Sequence, residues 1–202
     1  EQLDSIFAAL PPLVERHEEA IHLVEGELAG KGLARVEPAD YTEDDLAAVK
    51  KLFDEKISPI ASPLVVDPRH PFPNLRSGRL YVACSLTGPA ESGLLGIIEV
   101  PTAEQRVVPL PSSAKCYRYT LVEDVIRTCL GSCFGDFHPQ DAAVLRVTRN
   151  ADIDPDDEGV EEEEDYRQHM KKVLKMRQRL QPVRLEAVSY THLRAHETAA
   201  NL

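Results

Sequence analysis

The sequence has 202 residues, enough for one or two domains, and its hydrophobic share of 43% is sufficient for a buried core. The formal net charge of -11 argues against a general nucleic-acid-binding protein, because such proteins need a basic face. No apolar run approaches the roughly 20 residues that cross a bilayer, so no transmembrane segment is expected. The four cysteines form no C-x-x-C pair, which predicts reduced thiols and a cytoplasmic protein.

The first part of the chain is typical of helices. Apolar residues recur at three- and four-residue steps over Leu3–Leu28, which predicts a helix that ends at Gly30. Pro11–Pro12 is expected to kink or interrupt this helix. A second helix is predicted after Thr42, because Thr42 and Asp45 match a capping box with Asp in place of the usual Glu or Gln. Two helices joined by a polar turn predict an antiparallel pair.

The composition changes at Ser58, where closely spaced prolines exclude a regular helix. Short apolar runs bounded by Gly and Pro then predict strands. The predicted strands cover residues 80–86, 94–100, 107–110, 117–121, 143–148 and 183–187, and the predicted helices cover residues 122–130 and 161–180. This order predicts an α+β fold in which a helical hairpin precedes a mixed α+β domain.

Two segments resemble one known family. In one-letter code, residues 53–74 read FDEKISPIASPLVVDPRHPFPN and residues 146–152 read RVTRNAD. Both resemble the polyphosphate kinases of the histidine-phosphorylating family. The resemblance implies that residues 1–57 are the end of a helical N-terminal domain and that residues 58–187 are a truncated head domain. Residues 188–202 do not resemble the family, and we expect them to be a non-native tail, translated from sequencing adapter.

The resemblance implies a parent enzyme that moves the terminal phosphate of ATP onto polyphosphate with the help of magnesium. A histidine in its C-terminal half carries the phosphate covalently, which splits one transfer into two steps. That half is not in this sequence, so we expect no catalytic residue in this chain and no activity of the fragment alone. ATP and magnesium are therefore expected to bind the parent, and neither is expected to bind this fragment tightly.

The family resemblance also implies a homo-oligomer formed through the head domain, with polyphosphate and ATP as the parent's partners. The acidic composition predicts no nucleic-acid partner. It leaves open a peripheral membrane association of the parent. The alternative is a stand-alone head-domain module for interaction or dimerisation without catalysis. A third hypothesis is an acidic calcium-binding or scaffold protein built on residues 152–165.

Arg146 and Arg149 are the candidates for contact with a polyanion, because a guanidinium matches phosphate oxygens with two parallel hydrogen bonds. Their spacing of three predicts opposite faces of a regular strand. The alternative is that they pair with the acidic run that follows them.

Three residues are predicted to have structural roles in the two family-like segments. Asp67 is expected to bond backbone N–H groups of its turn. His70 lies among prolines, where a ring that stacks on proline is favoured over a functional group. Asn150 is expected at a turn with a left-handed backbone.

No metal site is expected. Residues 152–163 partly match a calcium loop, but Asp157 stands where the sharp turn needs glycine, so a solvated acidic turn is favoured. His192 and His196 have the four-residue spacing of helical metal ligands, but they lie in the tail that does not resemble the family.

Overall fold

The computed structural model describes residues 2–67, 69, 71–88, 93–150 and 180–188. Its helices are α1 (Gln2–Gly30), α2 (Glu43–Leu52) and α3 (Val122–Thr128). Its strands are β1 (Leu33–Arg35), β2 (Leu64–Val66), β3 (Leu80–Thr87), β4 (Leu94–Glu99), β5 (Val107–Pro109), β6 (Tyr117–Leu121), β7 (His138–Arg149) and β8 (Pro182–Val188). The predicted α+β class is confirmed.

The N-terminal helix α1 runs unbroken through Pro11 and Pro12, so the expected interruption is wrong. Each proline removes one hydrogen bond to a carbonyl four residues earlier. No residue of α1 is buried, so water can hydrate those carbonyls and the helix tolerates the loss.

The connection between α1 and α2 is not the polar turn that we expected. It contains β1, which pairs in parallel with β6, and a short 3-10 turn at Pro38–Asp40. Gly32 precedes β1 with a φ of 88°, and an added Cβ would lie 2.7 Å from the Lys115 carbonyl oxygen. Only glycine therefore fits this approach of the chain to β6.

The predicted start of α2 is confirmed. The Thr42 hydroxyl accepts a hydrogen bond from the backbone N–H of Asp45, and the Asp45 carboxylate accepts one from the backbone N–H of Thr42. This reciprocal pair satisfies two N–H groups that have no partner inside the helix. A π-helical turn at Phe53–Ile57 continues the helix.

Two sheets organise the chain after α1. The larger sheet has five strands in the order β2-β4-β3-β7-β8, and all of its pairs are antiparallel. The smaller sheet has the order β1-β6-β5, with β5 antiparallel to β6. All six predicted strands are found, although β7 begins at His138, five residues earlier than expected. The three-residue strands β1 and β2 were not predicted, and residues 161–179 of the predicted last helix lie outside the described residues.

The central strand β3 is packed on both faces. On one face, Val82 packs in a buried cluster with residues of α2 and α3. The other face carries Tyr81 and Ala83, which pack with Ile97 and Val147. The larger sheet therefore lies between two apolar clusters in the described part of the chain.

The first of these clusters runs across the predicted domain boundary after residue 57. Val49, Phe53 and Ile57 are buried together with Ile98 and Val125. Packing therefore joins α2 to the sheet, and the division at residues 57 and 58 stays a prediction.

A buried ion pair joins α2 to the smaller sheet. Asp45 is 0% exposed, and its two carboxylate oxygens accept hydrogen bonds from Arg118 on β6 at 2.9 and 2.7 Å. Burial alone would raise the pKa of Asp45, but hydrogen bonds from Arg118 and Thr42 outweigh burial and lower the pKa below its ordinary value.

We expect Asp45→Asn to lower the free energy of unfolding by about 3 kcal/mol, because the change leaves the Arg118 guanidinium without its carboxylate. Urea unfolding followed by circular dichroism measures this loss. Asp44→Asn is the matched control, since Asp44 is the exposed neighbour on the same helical turn. Equal effects of the two substitutions would contradict a stabilising role of the pair.

The same pair predicts a dependence on pH. Because the pKa of Asp45 is lowered in the folded protein, its contribution is complete above the ordinary carboxyl pKa of about 4 and is lost as the pH falls through the folded value. The wild-type chain should therefore lose more stability than Asp45→Asn between neutral and acidic pH. Unfolding curves at a series of pH values check this difference.

The exposed stripe of α1 predicts self-association. Its large apolar residues are between 41% and 65% exposed at Leu3, Ile6, Phe7, Leu10, Leu13, Val14, Ile21 and Val24. Such a stripe favours contact with another apolar surface. Phe7→Glu with Leu10→Glu should shift the chain toward the monomer in light scattering coupled to gel filtration. Ala8→Glu adds charge to the opposite side of the helix and should leave the mass distribution unchanged.

Candidate functional site

Arg146, the first residue predicted to face a polyanion, lies on β7. It is opposite Leu80 of β3 and Glu186 of β8. Its side chain is 52% exposed, and its Nε lies 3.9 Å from the Glu186 carboxylate. The acidic run that was its expected alternative partner lies outside the described residues. A polyanion-binding role of Arg146 stays a prediction.

Arg149 is bound differently, because a register irregularity after Thr148 breaks the regular alternation of β7. Its Nε donates to the carbonyl of Leu75 at 2.8 Å, and its Nη1 donates to the carbonyl of Leu180 at 2.7 Å. Its backbone N–H donates to the Ser77 hydroxyl at 3.0 Å. These bonds tie the loop before β3 to the start of β8. They describe a structural role, and contact with a polyanion stays a prediction.

Three further arginines lie at the same end of the larger sheet, where β3 and β8 begin and where β4 and β7 end. Arg76 Nη2 lies 2.9 Å from one oxygen of Glu99, and Arg79 Nε lies 3.9 Å from the other. Arg184 Nη2 lies 2.9 Å from Glu186. Sequence reasoning missed these residues, because they come from separate segments that only the strand register brings together.

We call this surface the arginine-rich end. It consists of Arg76, Arg79, Arg146, Arg149 and Arg184 with Glu99 and Glu186. Five arginines and two glutamates give it a local charge of +3, whereas the whole chain carries -11.

The residues predicted to have structural roles are found as follows. Asp67 accepts a hydrogen bond from the backbone N–H of Arg69 at 2.8 Å and also pairs with the Arg69 guanidinium, so it bonds within its turn. His70 lies outside the described residues. The left-handed backbone expected at Asn150 is wrong, since no positive φ occurs there. Its N–H instead donates to the carbonyl of Gln181 at 3.0 Å, which continues the ladder between β7 and β8.

A second set of ion pairs, centred on the buried Asp124, joins α1, β1 and α3. Arg35 on β1 reaches Glu25 of α1 at 3.2 Å and Asp124 of α3 at 3.3 Å. Arg127 contacts the same Asp124 at 3.1 Å. Burial raises the pKa of Asp124, and the two arginines offset part of this rise. The arrangement anchors the end of α1 to α3, and sequence reasoning missed it because its members are far apart in the chain.

The thiols lie mostly in the core. Cys84 and Cys129 are buried, and Cys116 and Cys133 are partly buried; all four are free. Burial raises the pKa of Cys84, Cys129 and Cys133 to about 11, so these thiols stay protonated at neutral pH. Their environment is that of small apolar core residues.

Metal ligation has no support in the described part of the chain. No group of three or more His, Cys, Asp or Glu side chains is placed there to hold an ion. The calcium-like loop at residues 152–163, with His192 and His196, lies outside the described residues.

An open depression of about 420 Å³ lies between the end of α3 and the start of β7. Its polar lining comes from Arg127, His138, Gln140 and Asp141. Asp141 has a φ of 41°, at an irregularity in the pairing of β3 with β7. The lining is of mixed charge, and Arg127 is already held by Asp124. It therefore defines no single ligand chemistry.

Comparison with known proteins defines the class of this chain. The sequence model of a family described as the polyphosphate kinase middle domain matches residues 44–198. Its relatives are named polyphosphate kinases, and kinases are phosphotransferases. The chain belongs to the polyphosphate kinase family.

Individual relatives agree with this assignment. The chain is 33% identical over 190 residues to a polyphosphate kinase of Exiguobacterium sibiricum, a match that covers 92% of this chain and 26% of the relative. It is 30% identical over 187 residues to that of Lactiplantibacillus plantarum, covering 92% and 23%. The crystal structure of polyphosphate kinase from Porphyromonas gingivalis matches with a TM-score of 0.64 and 26% identity, covering 75% of this chain and 25% of that one. The chain thus spans about a quarter of the length of the proteins that it matches.

A search of the described residues for a membrane-spanning helix finds none of sufficient length and apolarity.

The hydrogen bonds of Arg149 predict that its replacement destabilises the fold more than replacement of Arg146, the other arginine of β7. Arg149→Ala should lower the free energy of unfolding by about 2 kcal/mol, since it leaves two carbonyls without their charged donor. Arg146→Ala removes only an exposed ion pair and should cost less than about 1 kcal/mol. Urea unfolding of the two variants checks this order, and a larger loss for Arg146→Ala would overturn the structural assignment of Arg149.

Proposed function

We propose that this chain is the head-containing part of a polyphosphate kinase, an enzyme that transfers the terminal phosphate of ATP to polyphosphate. The observation that carries the proposal is the family match over residues 44–198. Support also comes from relatives that align with 92% of this chain. Because the chain spans about a quarter of those relatives, the whole activity belongs to the longer protein.

We infer that the chain alone does not transfer phosphate. The resemblance assigns the phosphate-carrying histidine to a part of the family that this sequence does not match. The described histidines support this inference, because His17, His22 and His138 are all exposed and lie on α1 and at the start of β7. His138 also lines the depression beside α3 together with Asp141, but that depression is open to solvent and its lining is of mixed charge.

ATP and magnesium enter as substrates and cofactor of the longer protein. The buried carboxylates Asp45 and Asp124 are each held by arginine, so neither is offered to a cation. No group of three or more His, Cys, Asp or Glu side chains placed to hold an ion occurs in the described ranges. No step of the reaction is therefore assigned to the described residues through the metal.

In this proposal the described part of the chain supplies a folded domain and contact surfaces to the longer protein. The five-stranded sheet, with an apolar cluster on each face, forms the core of that domain. The exposed stripe of α1 supports a contact with another apolar surface, which is the feature that also favours the alternative of an interaction module. Homo-oligomer formation and a cytoplasmic location are parts of the same proposal.

The test compares two proteins. One is the 202-residue chain. The other is the protein expressed from the full reading frame, which long-read sequencing of the gene beyond codon 187 defines. Both are incubated with labelled ATP, magnesium and a polyphosphate primer, and the polymer is separated by electrophoresis. We expect polymer growth from the longer product and none from the chain alone.

Two outcomes would contradict the proposal. Polymer growth by the 202-residue chain would place the chemistry inside it. A reading frame that stops after codon 202, or a longer product without transfer activity, would favour the stand-alone interaction module.

A further inference from the structure

The apolar residues of α1 follow a heptad pattern. From Leu3 to Leu28 an apolar residue recurs after four and three residues in turn, and His17 is the one polar residue in the series. This spacing averages 3.5 residues over almost four heptads, which is the period of a coiled-coil contact. We call these eight positions the α1 seam. They are Leu3, Phe7, Leu10, Val14, His17, Ile21, Val24 and Leu28.

The α1 seam is presented to solvent along most of the helix. No residue of α1 is buried, and the large apolar side chains from Leu3 to Val24 are exposed. The helix meets the rest of the described chain at its C-terminal end, where Leu28 is partly buried and Glu25 pairs with Arg35 of β1. The part of α1 before this anchor is therefore available to a partner.

The size of the α1 seam suits a specific contact between two helices. From Leu3 to Leu28 it is about 38 Å long, and a helix with its side chains is about 12 Å wide, so the flat projection is about 450 Å² per helix. Ile6 and Leu13 lie beside the seam, are both 56% exposed and widen this stripe. Interlocking side chains bury more than a flat projection, so two such stripes reach the roughly 1,000 Å² expected of a specific interface.

The charges along α1 favour a second copy of α1 that runs in the opposite direction. Residues 2–14 contain one charged side chain, Asp4, whereas residues 15–28 contain five glutamates and one arginine. A parallel pair would place the two acidic halves side by side, where like charges within about 10 Å repel. An antiparallel pair places each acidic half beside the nearly uncharged half of the partner, toward the positive end of its helix dipole.

The α1 seam is also complementary to itself in the antiparallel direction. Full overlap of the two helices brings every seam residue opposite a seam residue of the second copy. The facing pairs are Leu3 with Leu28, Phe7 with Val24, Leu10 with Ile21, and Val14 with His17. A parallel pair would instead place the two His17 side chains directly opposite each other. One polar residue in an apolar seam lowers the affinity and disfavours other registers.

We propose that two copies of the chain associate through their α1 helices, which pair in antiparallel fashion along the α1 seam. This inference deepens the proposed function, on which it rests for the existence of a homo-oligomer. It names the contacting surface and its direction, and it places a contact on α1, whereas the family resemblance implies one through the head domain.

Cysteine cross-linking of the 202-residue chain tests the pairing and its direction. Chains with Leu10→Cys are mixed with size-tagged chains with Ile21→Cys, and disulfides are formed by mild oxidation. We expect a cross-link between the two kinds of chain, because these positions face each other within the reach of a disulfide. Leu10→Cys alone should give no cross-link, since its two copies lie about 16 Å apart along the helix axis.

The matched control uses Glu19→Cys in place of Ile21→Cys, because Glu19 is exposed on the side of α1 away from the seam. The wild-type chain gives the background from its four free thiols, and circular dichroism verifies the fold of each variant. Cross-linking of Leu10→Cys with itself would overturn the antiparallel direction. Equal cross-linking to Glu19→Cys and to Ile21→Cys would overturn the seam as the contact.

Sedimentation equilibrium measures the affinity of the pair. His17→Leu completes the apolar seam and should lower the dissociation constant of the dimer about tenfold. His22→Leu is the matched control, since it introduces the same side chain at an exposed position outside the seam and should leave the dissociation constant unchanged. Equal effects of the two substitutions would show unspecific apolar attraction and contradict the proposal.

The remaining outcomes separate this inference from the proposed function. A chain that stays monomeric would overturn the pairing, while the transfer assay on the longer product still decides the enzyme activity. If the chain pairs as expected and the longer product makes no polymer, the pairing stands and the kinase proposal fails. The same cysteine substitutions are made in the longer product. Loss of the cross-link there would show that another segment of the longer protein covers the α1 seam, which overturns the pairing for the enzyme.

Discussion

The central strand β3 is the constraint on which the rest of the structure depends. It is hydrogen-bonded on both sides, with Tyr81 opposite Glu99 on β4 and Leu145 on β7. Both of its faces are buried, so a slip of one residue would exchange Val82 and Ala83 between two different cores. The packing therefore permits one register. That register decides which residues meet at the ends of the strands, including the arginines.

Buried charges fix the elements that the sheet does not hold. Placing Asp45 or Asp124 away from water is costly, and the cost is offset only where an arginine supplies hydrogen bonds as well as charge. Arg118 lies on β6 and Arg35 on β1, so both pairs join a helix to the small sheet. A hydrophobic contact would tolerate small shifts of α2 or α3, whereas these directional bonds specify one position.

Local signals predicted those parts of the fold that depend on neighbouring residues. Short apolar runs bounded by Gly and Pro predicted six of the strands. The pair Thr42 and Asp45 predicted the start of α2, because a capping box involves only one helical turn. The strand Leu33–Arg35 was missed, since it forms by pairing with β6, which is far away in sequence. The interruption expected at Pro11 and Pro12 was wrong. The free-energy cost of a proline inside a helix depends on whether the carbonyl that loses its hydrogen bond is buried, and the sequence does not reveal that burial.

The candidate site depends on distant contacts, and this limits what sequence can predict about it. Arg146 and Arg149 look equivalent in the sequence. In the structure Arg146 is exposed to solvent beside Glu186, whereas the guanidinium of Arg149 donates hydrogen bonds to two backbone carbonyls. An arginine bound to carbonyls keeps its charge, because a carbonyl neutralises none of it. Arg149 therefore both holds the sheet end together and keeps its positive charge there. The structural role and the electrostatic role are thus compatible in one residue, which explains how a rigid surface can also be a basic one.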